Sequence, residues 1–133
     1  HVGDSRIYLL RDHGVFLKTR DHSHVEVLIH EGVIQRSEAQ THPMRNYVES
    51  CLGGDDALPG ITVSRKRELQ PGDILLLCTD GLWSGLDNET LVDIAYRANI
   101  PLDTVLRVMC DVAVKNNGKR ADNTTVAALR WLE

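Results

Sequence analysis

Ile74-Leu75-Leu76-Leu77-Cys78-Thr79-Asp80-Gly81 is the stretch from which the rest of the chain is read. Five apolar residues in succession predict a central strand with apolar side chains on both faces. Pro71-Gly72-Asp73 ahead of it makes a turn, and the strand delivers Asp80 at its tip. A carboxylate in that place is costly unless a cation or hydrogen bonds compensate it. The same punctuation occurs twice more, with Asp4 in Gly3-Asp4-Ser5-Arg6 ahead of Ile7 and Asp122 in Asp122-Asn123-Thr124 ahead of Val126. Three carboxylates that mark the ends of apolar runs point to one shared divalent-metal site.

Outward from this strand, residues 1–20 read as a hairpin. Ile7-Tyr8-Leu9-Leu10 and Val15-Phe16-Leu17 are its arms, and Asp12-His13-Gly14 its turn. Asp21-His22-Ser23 offers N-cap chemistry, and Val25, Leu28 and Ile29 follow at helical spacing, so a short helix ending near Gly32 is expected. Periodicity is then lost over 33–60, where His42-Pro43, Gly53-Gly54, Asp55-Asp56 and Pro59-Gly60 mark turns in a flap-like loop. Ile61, Val63 and Leu69 are expected in a half-buried strand.

Beyond Asp80, Asp87 or Asn88 can cap a helix whose Leu91, Ile94, Ala95 and Ala98 repeat on one face. Pro101 suits the first turn of another helix. Leu102, Val105, Leu106, Met109 and Ala113 face inward there, and Asn116-Asn117-Gly118 closes it. The run from Thr124 to Leu132 is the last strand. Strands and helices in blocks, without strict alternation, define an α+β class.

The 133 residues suit one domain, and a 42% apolar share rules out a disordered chain. No apolar run approaches the roughly 20 residues that span a bilayer, so no membrane partner is expected. The net charge of -4 and the absence of a basic stripe argue against nucleic acid. Arg65-Lys66-Arg67 is too brief to change that and reads as a solvated face. Cys51, Cys78 and Cys110 are widely spaced, which excludes a disulfide framework or zinc knuckle and fits a reducing cytoplasm. Cys78 itself is read as a small core side chain.

Oxygen ligands suit hard cations such as magnesium or manganese, whereas zinc prefers nitrogen and sulfur. Against that, Asp followed by Gly or Asn is ordinary turn chemistry, so each of Asp4, Asp80 and Asp122 taken singly reads as structural. Their combination carries the argument, and its order along the chain carries more. Gly3-Asp4-Ser5-Arg6 with Tyr8, Asp21-His22-Ser23, Glu31-Gly32, His42-Pro43-Met44-Arg45-Asn46, Leu52-Gly53-Gly54, Leu75 through Trp83 and Ala121-Asp122-Asn123-Thr124-Thr125 occur in sequence. That ordered set resembles the carboxyl-terminal half of the metal-dependent serine/threonine protein phosphatases of type 2C, the PPM family.

The resemblance implies a β-sandwich of antiparallel sheets flanked by helices, with a dinuclear Mn2+ or Mg2+ centre. On its pattern Asp80 and Asp122 would be ligands of the paired metals, and Asp4 with Asp80 would hold a third ion. Gly81 would let the backbone pass close to the metals, and Ser5 and Asn123 would support the ligands from behind or shape the turns. His42 and Arg45, in the flap, would be substrate contacts, with a plain turn role for His42 and a solvated Arg45 as the alternatives. The resemblance also implies that residues 1–133 form part of one domain whose further metal carboxylates and phosphate-gripping Arg precede it. A fragment of that kind would have little activity alone and would tend to dimerise through uncovered sheet edges.

The remaining residues have simpler readings. His22 and His24, two apart, do not share a helix face and are not a metal pair. Trp83 and Trp131 are read as packing, and Arg6 as a partner for a nearby carboxylate, Asp4 among them. Two functions follow, ahead of a third reading as a plain cation-binding structural domain. One is a phosphatase acting on phosphorylated proteins and opposing a Ser/Thr kinase in the cytoplasm. The other is an inactive phosphatase-like module that binds a kinase or another partner.

Overall fold

The computed structural model describes residues 1–39, 41–53 and 58–133. The chain divides into two compact units, one formed by 1–5 and 20–65, the other by 6–19 and 66–133. The turn expectation at Asp55-Asp56, the Gly54 of Gly53-Gly54 and the matching part of the 33–60 loop lie outside the described residues.

The larger unit is an antiparallel sheet with helices on one face. Its strands are β1 (Arg6–Arg11), β2 (Gly14–Lys18), β3 (Ile74–Cys78) and β4 (Val126–Arg130), in the order β2-β1-β3-β4. The apolar run Ile74–Cys78 is thus central, as its composition predicts. Its pairing with β1 sets Tyr8 opposite Leu76 and Leu10 opposite Ile74, and its pairing with β4 sets Cys78 opposite Val126. Tyr8, Leu10, Ile74, Leu76 and Cys78 form the inner face of the core. On the alternate face burial is incomplete, with Leu77 44% and Leu129 49% exposed.

The β1–β2 hairpin turns on Asp12 and His13, both at positive φ (50° and 57°), the backbone sign that two-residue hairpin loops need to match strand twist. Gly14, read from sequence as part of the turn, instead begins β2. A shift in register between Leu9 and Leu10 places Leu17 opposite Leu9 and Val15 opposite Leu10, so Phe16 is the extra residue of a bulge.

Three helices, α2 (Asp80–Trp83), α3 (Asn88–Ala95) and α4 (Leu102–Asn117), belong to this unit. The Asp87 carboxylate caps α3 by accepting from Thr90 N–H at 2.7 Å, and this bond holds the Asp87 acid group below its ordinary range. Leu91, Ile94 and Ala95 are buried as expected, but Ala98 is exposed beyond the end of α3, where Asn99 takes a positive φ. Helix α4 buries Val105, Met109 and Ala113 and stops at Gly118, φ 55°. Trp83 packs on the core, whereas Trp131 is 41% exposed and its backbone closes the β3 entry turn instead. Arg11 bridges to Asp73 through two bonds, Nε to Oδ1 at 2.8 Å and a second nitrogen to Oδ2 at 2.6 Å. Asp73 is 1% exposed and also accepts from Gln70 N–H.

The smaller unit carries helix α1 (His24–His30), which ends just before Gly32, φ 72°. Ser23 pairs with Val48 as an isolated bridge. The buried Glu26 gathers Arg20 and Arg36 onto its two oxygens. The expected strand through Ile61, Val63 and Leu69 is not formed. Ile61 and Val63 are 68% and 86% exposed, and the segment's ladder is limited to reciprocal bonds between Thr62 and His1. Alternation of apolar residues specifies a face, but a strand also needs a neighbour to satisfy its backbone.

Candidate metal-carboxylate site

The site is assembled where β3 ends, β4 begins and α4 stops. Thr79 continues the β3–β4 pairing one step beyond Cys78 through its N–H, which donates to Thr125 C=O at 3.1 Å. Its hydroxyl then takes over. Thr79 Oγ1 accepts from Thr125 N–H at 3.0 Å and donates to Asn123 C=O at 3.0 Å. One residue at the tip of β3 therefore holds the turn that carries Asp122.

The next two residues complete the junction. Asp80 opens α2 and is half-buried. Gly81 is buried against the same turn, and a Cβ built there would lie 2.6 Å from Asn123 O and 2.7 Å from Thr124 Oγ1. The missing side chain is what admits the Asn123 backbone, a more specific use of Gly81 than clearance for a metal. From the far side the Asn117 amide donates to Gly81 C=O at 3.1 Å and to Ser84 Oγ at 3.0 Å. Asn116 donates to Gly85 C=O at 2.9 Å. Gly85 allows α4 to come close, since a Cβ there would stand 2.4 Å from Ala113 O.

Asp122 is exposed, and its Oδ1 accepts from Asn123 N–H at 2.6 Å while its carbonyl accepts from Thr124 Oγ1 at 2.9 Å. Its turn is thus pre-shaped locally. Arg6 lies over the Trp83 ring at 3.7 Å and donates to Tyr8 Oη at 3.1 Å, beside the strand end that delivers Asp80. The guanidinium here stacks on an aromatic face, a role that the carboxylate-partner reading does not include.

Asp4 belongs to the smaller unit. It follows Gly3, which is buried at φ 89° and is gripped by His22: His22 N–H donates to Gly3 C=O at 3.0 Å, and Gly3 N–H donates to His22 Nδ1 at 3.3 Å. Ser5 beside it is exposed. In the 33–60 loop His42 Nδ1 accepts from Met44 N–H at 3.1 Å, and Arg45 N–H donates to His42 C=O, so His42 shapes a turn. Arg45 is partly buried there. His24 pairs with Glu49, and His22 Nε2 with Thr62 Oγ1, so the two histidines face different partners.

Asp80 and Asp122 therefore stand on abutting turns, and their hard oxygen donors fit a magnesium- or manganese-type cation as two of its ligands. Among the described residues no group of three or more His, Cys, Asp and Glu side chains is placed to hold a metal ion. The pair fits as part of a ligand set. Sequence reasoning missed Thr79, Asn117 and Gly85; the signal within reach was a hydroxyl residue directly ahead of Asp80-Gly81.

The chain is similar to several serine/threonine protein phosphatases. A putatively assigned relative from Streptococcus pyogenes, a protein phosphatase 2C-type, is 38% identical over 128 residues, covering 96% of this chain and 50% of its own length. The serine/threonine protein phosphatase PstP of Mycobacterium tuberculosis is 36% identical over 126 residues, 95% of this chain and 23% of its own length. Among solved structures, the Streptococcus agalactiae serine/threonine phosphatase superposes with a TM-score of 0.86 at 33% identity, covering all of this chain and 52% of that one. The catalytic domain of PstP in complex with two manganese ions gives 0.71 at 32% identity, covering 96% and 50%. No protein-family model matches the chain. The chain belongs to the type 2C (PPM) family of serine/threonine protein phosphatases. It spans about half the length or less of these relatives.

Proposed function

We propose that the protein containing this chain hydrolyses phosphoserine and phosphothreonine in phosphorylated proteins, opposing a Ser/Thr kinase in the cytoplasm. The observation that carries this reading is the contact of Gly81 with Asn123, which sets the Asp80 and Asp122 turns side by side. Asp80 and Asp122 would hold Mn2+ or Mg2+, with Asp4 joining Asp80 at a further ion. Such ions, when bound in pairs, make hydroxide available near neutral pH. Within the chain, Thr79 and Gly81 fix the spacing of the two turns, and no side-chain nucleophile is called on. The remaining ligands and the phosphate anchor are assigned to the rest of the parent protein.

The same reading makes residues 1–133 the carboxyl-terminal part of one domain, with His42 and Arg45 near bound phosphopeptide in the 33–60 loop. Ser5 and Asn123 act by shaping the turns of Asp4 and Asp122. The 133-residue chain by itself is expected to turn over little and to self-associate through the face bearing Leu77 and Leu129. No helix among the described residues is long and apolar enough to cross a membrane.

Manganese titration of the parent protein with a phosphothreonine peptide tests the proposal. Metal-dependent release of phosphate that Asp80→Asn abolishes is the expected result. A parent that binds Mn2+ and releases no phosphate from any phosphopeptide would make it a binding module for a kinase or other partner.

A further inference from the structure

We infer that Thr79 and Asn117 are positioning residues that set the register of the two cation-binding turns, an inference that rests on the reading of Asp80 and Asp122 as metal ligands. The Thr79 hydroxyl is used in both directions, accepting from Thr125 N–H and donating to Asn123 C=O. Each bond fixes a backbone group on the Asp122 side of the junction, while Thr79 itself is the residue directly before Asp80. A single hydroxyl therefore ties the peptide groups next to one carboxylate to those next to the other.

Asn117 closes the arrangement from the end of α4. Its amide reaches Gly81 C=O and Ser84 Oγ at once, so the α2 turn cannot rotate without breaking both bonds. Gly81 is also the residue whose missing Cβ admits Asn123. Asn117 and Thr79 thus act on opposite sides of one backbone contact, Thr79 holding Asn123 and Asn117 holding Gly81. A general packing role would not require hydrogen bonds directed at three backbone groups near the carboxylates, Thr125 N–H, Asn123 C=O and Gly81 C=O. Ligands are oriented by such outer partners, and the loss of one typically weakens metal binding about 10–100-fold.

The test is Mn2+ binding to the complete parent protein by titration calorimetry, with circular dichroism to establish folding. Thr79→Val keeps the shape and removes the hydroxyl, and a 10–100-fold weaker Mn2+ affinity is expected. Thr79→Ser restores the hydroxyl and is expected to restore the affinity, which a role in packing the Thr79 methyl group would not do. Asn117→Ala is expected to weaken Mn2+ binding in the same way and decides the matter if Thr79→Val does not fold. Wild-type affinity in folded Thr79→Val or Asn117→Ala protein overturns the inference, provided Asp80→Asn loses binding. Failure of both variants to fold also overturns it, because the bonds would then serve stability. If Asp80→Asn binds Mn2+ as well as wild type, the ligand assignment itself is wrong.

Discussion

Gly81 and Asn123 stand so close that a methyl group on the first would lie 2.6 Å from the carbonyl oxygen of the second. The neighbour is backbone, and backbone cannot swing aside as the end of a flexible side chain can. Gly81→Ala should therefore push the Asp122 turn away and cost about 1–3 kcal/mol. Thermal melting of the variant checks the stability change, and Mn2+ titration of the parent protein checks the displacement, expected as weaker binding.

Gly85→Ala should destabilise the approach of α4, and it would also press on the Asn117 amide, 2.8 Å from the added Cβ. Its Cβ would meet Ala113 O at 2.4 Å and Ala113 Cα at 2.8 Å, so α2 and α4 would have to separate. A loss of about 1–3 kcal/mol is expected in urea unfolding, and a variant as stable as wild type would count against the close helix approach.

Leu76 and Leu77 are sequence neighbours with opposite expectations. Leu76 is fully buried and Leu77 is 44% exposed. In the 133-residue chain Leu76→Ala should cost about 2–5 kcal/mol, and Leu77→Ala about 0.5 kcal/mol. Equal losses in urea unfolding would contradict the assignment of the two faces.

Asp73 should make stability sensitive to acid. The hydrogen bonds from Arg11 are the main reason its carboxyl titrates below the ordinary range, outweighing burial, which acts the other way. A folded-state value below the unfolded one gives stabilisation that is present above the unfolded pKa, near 4, and is lost as pH falls through the folded value. Asp73→Asn should lower the urea midpoint at neutral pH and flatten its decline in acid, as measured by urea titrations from pH 7 to pH 3.

Features set by neighbouring residues were legible in the sequence. Asp87 caps its helix, Gly118 ends α4, and five apolar residues form the central strand because each depends on chemistry a few positions away. The four-residue helix at Asp80 gave no periodic signal, since one turn is too short to repeat. Ile61 and Val63 alternate as a strand would, yet pairing depends on a neighbour that alternation does not name. Likewise Thr79 and Asn123 are 44 positions apart, so the hydroxyl's reach to the Asp122 turn could not be read from either motif. Asp80 and Asp122 were legible as carboxylates at strand ends, and the atoms that hold them in register were not.

The strand order has a kinetic consequence. β1 can close its hairpin with β2 as soon as both are made, but its other edge pairs with β3, whose first residue is Ile74. During synthesis that edge stays open until Ile74 has been made, and β3 then waits for Val126. Such distant pairings make refolding slow compared with a helical bundle of this size. Until β3 arrives, the hairpin leaves Leu9 and Leu10, both buried in the folded unit, open to a chaperone.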